Sequence, residues 1–226
     1  MIVRFARHGQ PALDELPPWA DPEFPPEDYV LTELGRAQAH CLGRTLNAQG
    51  FRGRIISSPF LRTVETADVV AEECGLRFYL EPRIQEVRKY TAPHQGLTLA
   101  QIRAHSAHLA EDAVLPWPWT VENDSEGFPH VCERVNAFVE DLLAHPPADD
   151  ILLVGHGASI GALKRNFFAR SNYEGGEGDN WNCSVSRFDV APDGTATLVE
   201  LARYDFMPAE MVTSNRNRLL DPPKDA

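Results

Sequence analysis

Ile2-Val3-Arg4-Phe5-Ala6-Arg7-His8-Gly9 reads as a short apolar strand that runs into a glycine turn, with a guanidinium and an imidazole delivered at its end. Open α/β sheets keep their chemistry at the carboxyl ends of their strands. An arginine and a histidine on stiff backbone there suit a tetrahedral anion. The guanidinium fork grips two oxygens while a ring nitrogen faces the central atom, and phosphate has that shape and charge. Taken alone the tripeptide is more often a solvated loop, so the reading depends on whether the chain repeats the arrangement.

It does so twice. Arg54–Ser57 reads as a strand running into Ser58-Pro59, and the helix that begins near Pro59 has Arg62 in its first turn. A cation at that end opposes the helix dipole, a mismatch that an anion between the two resolves. Ile151-Leu152-Leu153-Val154-Gly155-His156-Gly157 is a continuous apolar run suited to a buried central strand. It ends in a histidine between two glycines, which permit tight turning and close approach of a ligand.

Around these three stretches, strand-like runs at Met1–Phe5, Arg54–Ser57, Phe78–Leu80 and Ile151–Gly155 alternate with helical patterns at Leu31–Gln49, Phe60–Glu73, Phe128–Leu143 and Ala158–Phe168. Two more strands, Ser184–Val190 and Ala196–Ala202, flank the turn Pro192-Asp193-Gly194. Alternation of this kind predicts a three-layer α/β/α sandwich with a mostly parallel central sheet. A chain of 226 residues without internal repeats predicts one domain.

Composition narrows the partners. A net charge of -12 opposes nucleic-acid backbone binding and favours a small phosphorylated substrate over a polyanion. No window approaches the ~20 apolar residues of a bilayer span, and the chain opens directly on a strand, so the expectation is cytoplasmic residence without membrane contact. Cys41, Cys74, Cys132 and Cys183 lie far apart and match no zinc spacing. His105 and His108 lack an acidic partner at helical spacing, so no metal or other cofactor is expected. Oligomeric state is not legible.

Arg7-His8-Gly9, Ser57-Ser58-Pro59 with Arg62 and Glu65-Thr66-Ala67, Leu31-Thr32 with Gly35 and Gln38-Ala39, and Gly155-His156-Gly157 together resemble the histidine phosphatase superfamily, also called phosphoglycerate mutase-like. The matches span residues 1 to about 205 in the expected order. The resemblance implies that His8 is the nucleophile that becomes phosphorylated, with Arg7, Arg62 and His156 around the phosphoryl oxygens. It also implies a general acid shortly after the third strand. Ile84-Gln85-Glu86 fits that pattern, so Glu86 takes the role; Asp14 and Glu15 are fallback donors. Attack requires a neutral His8 nitrogen, while an adjacent anion favours protonated His156.

The implied activity is a metal-independent phosphomonoesterase acting through a phosphohistidine. The alternatives are a mutase-type phosphotransferase and a non-catalytic phosphate-binding module. Gln10 stands where many members have glutamate, and Gln85-Glu86-Val87-Arg88-Lys89-Tyr90 replaces the mutase signature around the acid, so mutase identity is disfavoured. Arg88 and Lys89 remain candidates for a second anionic group. Phosphate binding alone needs only the arginines, so His8, His156 and Glu86 argue against a non-catalytic module.

Three segments fall outside the alternation. Asp14–Asp28, with six acidic residues, five prolines and no base, reads as a stiff solvated excursion or an acidic rim. Val87–Pro129 reads as a cap insertion, with a helical stretch at Thr98–Leu109 and tryptophans at 117 and 119 that close a packing gap or line a lid. Residues 206–226 form a tail past the last strand. Gly175-Gly176-Glu177-Gly178 contains acids and reads as a flexible loop, a poor phosphate cradle.

Overall fold

A computed structural model describes residues 1–12, 28–87, 95–120 and 126–214. The apolar run of the third stretch forms β4 (Asp150–Gly155), whose side chains beyond Asp150 are all buried. A strand buried on both faces needs a strand on either side and helices above and below. β1 (Ile2–Arg7) and β2 (Arg54–Ser57) supply the neighbours, both parallel to it, and β3 (Phe78–Leu80) extends the parallel set beyond β2. On the other side β5 (Val185–Val190) and β6 (Ala196–Arg203) run antiparallel, giving the order β3-β2-β4-β1-β5-β6.

Alternate residues of β4 serve opposite layers, as the period of two requires. Leu152 and Val154 join a core with Leu42, Leu46, Val64 and Val70, from α1 (Glu33–Ala48) and α2 (Leu61–Cys74). Ile151 and Leu153 join the opposite core with Val131, Val135, Leu163 and Phe167, from α4 (Phe128–Ala144) and α5 (Gly157–Ala169). A shorter α3 (Leu99–His105) lies between β3 and α4 in the chain, opened by a capping box of Thr98 and Gln101. The mixed α/β fold with helices on both faces of a mostly parallel sheet is the one expected.

Register places the chemistry. Arg7 pairs with Gly155 across β1 and β4, and Ser57 pairs with Val154 across β2 and β4, so the three strands stop at one level. The ladder continues one residue further: the His8 N–H donates to the Gly155 carbonyl at 3.0 Å and the Ser58 N–H to that of Val154 at 3.0 Å. His8, Ser58 and His156 therefore leave the sheet side by side.

Two glycines let α1 approach this edge. A Cβ on Gly9 would stand 2.4 Å from the Gly35 carbonyl oxygen, and one on Gly35 would stand 2.2 Å from that of Gln10. Neither position has room for a side chain. Thr32 caps α1 by accepting the Gly35 N–H at 2.9 Å and donates to the Gln10 amide oxygen at 2.8 Å, which ties the helix to the turn after His8.

Most of the acidic segment, the stretch holding Arg88 and Lys89, and the end of the tail lie outside the described residues, and with them Asp14 and Glu15. Asp28, the last acid of that segment, is fully buried rather than solvated. Among the described residues no helix is long and apolar enough to cross a membrane.

Candidate active site

His8 and His156 face each other with ring centroids 5.3 Å apart, both buried. His8 Nδ1 lies 2.6 Å from the Gly9 carbonyl oxygen. A carbonyl only accepts, so Nδ1 carries the proton and the lone pair sits on Nε2. That is the state a nucleophile needs. Burial first, then the charges of Arg7 and Arg62, push the His8 imidazole well below its ordinary range, so it stays neutral.

His156 is held differently. Its Nε2 lies 2.8 Å from Ser58 Oγ, its backbone N–H donates to Ser159 Oγ at 2.9 Å, and its ring meets Phe60 edge-on at 5.3 Å. Among the described residues its buried Nδ1 has no hydrogen-bond partner, and neither has Arg7 Nε. Burial, with Arg62, His8 and Arg7 nearby, drives this ring also below its ordinary range. The protonated His156 expected from sequence is therefore disfavoured by the protein alone; a phosphate dianion would oppose the arginines and draw a proton onto the ring.

Arg7 Nη1 donates to the Asn180 carbonyl at 2.6 Å, and burial lowers the guanidinium to about 10. Arg62 is buried in the first turn of α2, over the Phe60 ring at 4.7 Å. Its position is the one read from sequence, but the helix end is not left to a ligand. Asp28 Oδ1 accepts the Leu61 N–H at 2.5 Å, a cap brought from a distant segment. Burial raises the Asp28 carboxyl to about 7 despite the opposing charge of Arg62, and among the described residues its Oδ2 has no hydrogen-bond partner.

The remaining motif residues are braces. Thr66 Oγ1 accepts the Gly9 N–H at 3.0 Å and donates to the Arg62 carbonyl at 2.7 Å, joining the turn after His8 to the first turn of α2. Buried Glu65 accepts the Leu31 N–H at 2.6 Å and an Arg36 N–H at 2.5 Å. Gln38 accepts the Gln10 N–H at 2.8 Å and donates to Thr213 Oγ1 at 2.8 Å, which fixes part of the tail against the site.

Glu86 arrives on the turn after a short 3-10 helix, Pro82–Ile84. Its Oε1 accepts the Val87 N–H at 2.9 Å and the Ala158 N–H, in the first turn of α5, at 3.3 Å. It does not pair with Arg83, which binds Glu81 and Asp141. Its charge acts on Arg7, so all five residues read from sequence share one neighbourhood. Arg134 of α4 holds the turn, donating to the carbonyls of Arg83 at 2.5 Å and Glu86 at 3.1 Å while paired with buried Glu126. Trp119 is buried edge-on against Phe60 at 5.0 Å, whereas Trp117 is half exposed.

Sequence reading missed Asp28, Ser58, Arg134 and the braces from 177–183. Asn182 Nδ2 donates to the His8 carbonyl at 3.0 Å, and the Cys183 N–H reaches the carbonyls of Arg7 and His8 at 3.1 and 3.3 Å. Within the glycine-rich stretch, Glu177 accepts from Lys164 Nζ at 3.0 Å and pairs with Arg165 at 2.9 Å. The signal for it was Lys164, a cation among the apolar positions of α5.

Residues 3–202 match the profile of the histidine phosphatase superfamily, branch 1. The chain belongs to this superfamily. Among similar superfamily proteins is a "Probable phosphoglycerate mutase GpmB" of Yersinia pestis (strain Pestoides F), 30% identical over 167 residues, 72% of this chain and 74% of that one. A mycobacterial glucosyl-3-phosphoglycerate phosphatase solved with VO3 is 27% identical, with a TM-score of 0.58 over 89% of this chain and 99% of that one. An ecdysone phosphate phosphatase from Bombix mori, 16% identical, shares the fold at a TM-score of 0.61, over 96% of this chain and 95% of that one. Superfamily members are phosphatases or mutases, and this chain has similar proteins of both kinds.

Proposed function

We propose that this protein is a phosphomonoesterase that works through a phosphohistidine on His8. The observation that carries the reading is the pinned His8 ring, which offers its Nε2 lone pair into a buried set of two arginines and a second imidazole. In the first step Nε2 attacks phosphorus, the bond from phosphorus to the ester oxygen breaks, and Glu86 gives that oxygen its proton. In the second, water attacks phosphorus, Glu86 takes the water proton, the P–N bond breaks and inorganic phosphate leaves. Arg7, Arg62 and the unpaired His156 Nδ1 hold the three equatorial oxygens, whose charge a buried site stabilises more than water does.

The mutase reading needs a cation free to hold a second acidic group beside Glu86. Arg134 is spent on Glu126 and two carbonyls and is not that cation; Arg88 and Lys89, the candidates read from sequence for a second anionic group, lie outside the described residues.

The experiment pairs two substituted proteins with two substrates. His8→Ala abolishes turnover of p-nitrophenyl phosphate; undiminished hydrolysis would remove His8 as nucleophile. Glu86→Gln slows an alkyl phosphate, by about 10²–10⁴-fold, far more than p-nitrophenyl phosphate, whose leaving group barely needs a proton. Equal slowing of both would place the acid elsewhere.

A further inference from the structure

Lys164 lies on α5 with only 1% of its surface exposed, and the phosphoryl chemistry does not use it. Burying an ammonium is unfavourable by several kcal/mol unless its donors are matched, and a methionine would pack there without that penalty. The donors are matched by one short segment. Nζ donates to the Glu177 carbonyl at 3.0 Å and to Asn180 Oδ1 at 2.6 Å, and the next residue of the helix, Arg165, pairs with the Glu177 carboxylate at 2.9 Å.

The same asparagine faces the site with its other end. Its backbone carbonyl takes the Arg7 Nη1 hydrogen bond at 2.6 Å, and two residues later Asn182 and Cys183 close on the backbone of His8. α5 begins directly after His156, so the lysine joins the helix behind one histidine to the arginine beside the other.

We propose that Lys164 is a positioning residue for Arg7: its ammonium fixes Asn180, and the Asn180 carbonyl aims the guanidinium at the phosphoryl oxygens. This rests on Arg7 as a phosphate ligand. Lysine suits the task because one ammonium can hold a carbonyl and an amide oxygen together, which no apolar side chain can do. It also makes the aim sensitive to alkali. Burial lowers Lys164 to about 8, with Glu177 and Asp179 of the segment pulling the other way. As pH rises through that value the ammonium loses its charge and the hold on Asn180 weakens.

The test uses the full chain, Lys164→Met, Asn180→Ala and the double variant, with inorganic phosphate as titrant at pH 7 and p-nitrophenyl phosphate as substrate. Each single substitution weakens phosphate binding about tenfold, the worth of a charge-assisted hydrogen bond. The double variant is no weaker than either single one, because both break one chain of contacts. KM rises more than kcat falls. For the wild type, KM climbs between pH 7 and 9, a range where a phosphomonoester is already dianionic, more steeply than for Lys164→Met; Asp28 and His156 act in both proteins, and the excess climb belongs to Lys164.

Asn180→Ala removes Oδ1 without altering charge, so it separates aiming from a general loss of positive field. It also tests the aiming on its own if Lys164→Met fails to fold. Unchanged phosphate affinity in Asn180→Ala, or additive losses in the double variant, would overturn the proposal while leaving the phosphatase reading intact. A wild type that neither binds phosphate nor hydrolyses the ester would overturn both.

Discussion

Asp28 is a residue whose chemistry departs far from that of a free amino acid. Its carboxyl is raised to about 7 because burial opposes ionisation more than Arg62 and the Leu61 N–H favour it. An unfolded chain releases this proton near 3.8, whereas the folded chain keeps it to about 7, so this group makes folding progressively less favourable as pH rises between those values. Asp28→Asn keeps the cap and removes the charge. The gross gain at pH 8 is about 4 kcal/mol, and a buried amide without a partner takes back about 1–3 of it. The expected result is a variant more stable than wild type by about 1–3 kcal/mol at pH 8, an advantage that vanishes between about pH 4.5 and 6 and reverses towards pH 4. Denaturant melts across that range check it, and a constant difference would mean the carboxylate stays ionised in the fold. This residue could not be read from sequence, because a cap on α2 contributed from more than thirty positions upstream leaves no local pattern.

At the scale of elements, strand ends were legible and the contacts between elements were not. The three apolar runs set their own period and burial; parallel register placed Arg7, His8 and His156, and the start of α2 directly after β2 placed Arg62. Glu86 was found through a resemblance, and the turn that carries it is held by Arg134, which looked like any helix-surface cation. The meeting of α1 with the His8 turn is another such contact. Alanine is a better helix former than glycine by about 1 kcal/mol, so Gly35→Ala on an exposed helix would stabilise. Here the added Cβ would meet a backbone carbonyl at 2.2 Å, and wedging costs about 1–3 kcal/mol. We expect the wedge to win: a lower denaturation midpoint, together with slower turnover as the turn after His8 is displaced. A midpoint raised by the substitution would contradict the close approach.

For the molecule as a whole, the site draws on the ends of β1 and β4, the start of α2, the turn at Glu86 and the segment before β5, so one bound anion ties together parts from nearly the whole chain. Inorganic phosphate at about a hundred times its dissociation constant should stabilise the fold by about 2.7 kcal/mol. For a chain of this size that raises the melting temperature by roughly 5–10 °C. Differential scanning calorimetry should show the shift in wild type and its loss in Arg62→Ala. A shift that survives the substitution would locate the anion elsewhere.

The ladder that runs one residue past the strands into His8 and Ser58 has a consequence for how the enzyme fails. Amides in the middle of a buried sheet open only when the domain opens, so the proposed nucleophile, His8, is seated in a part of the chain protected from local fraying. His8 then keeps its place until global melting, whereas the turn that carries Glu86 and the segment of Asn180 and Asn182 lie outside that ladder.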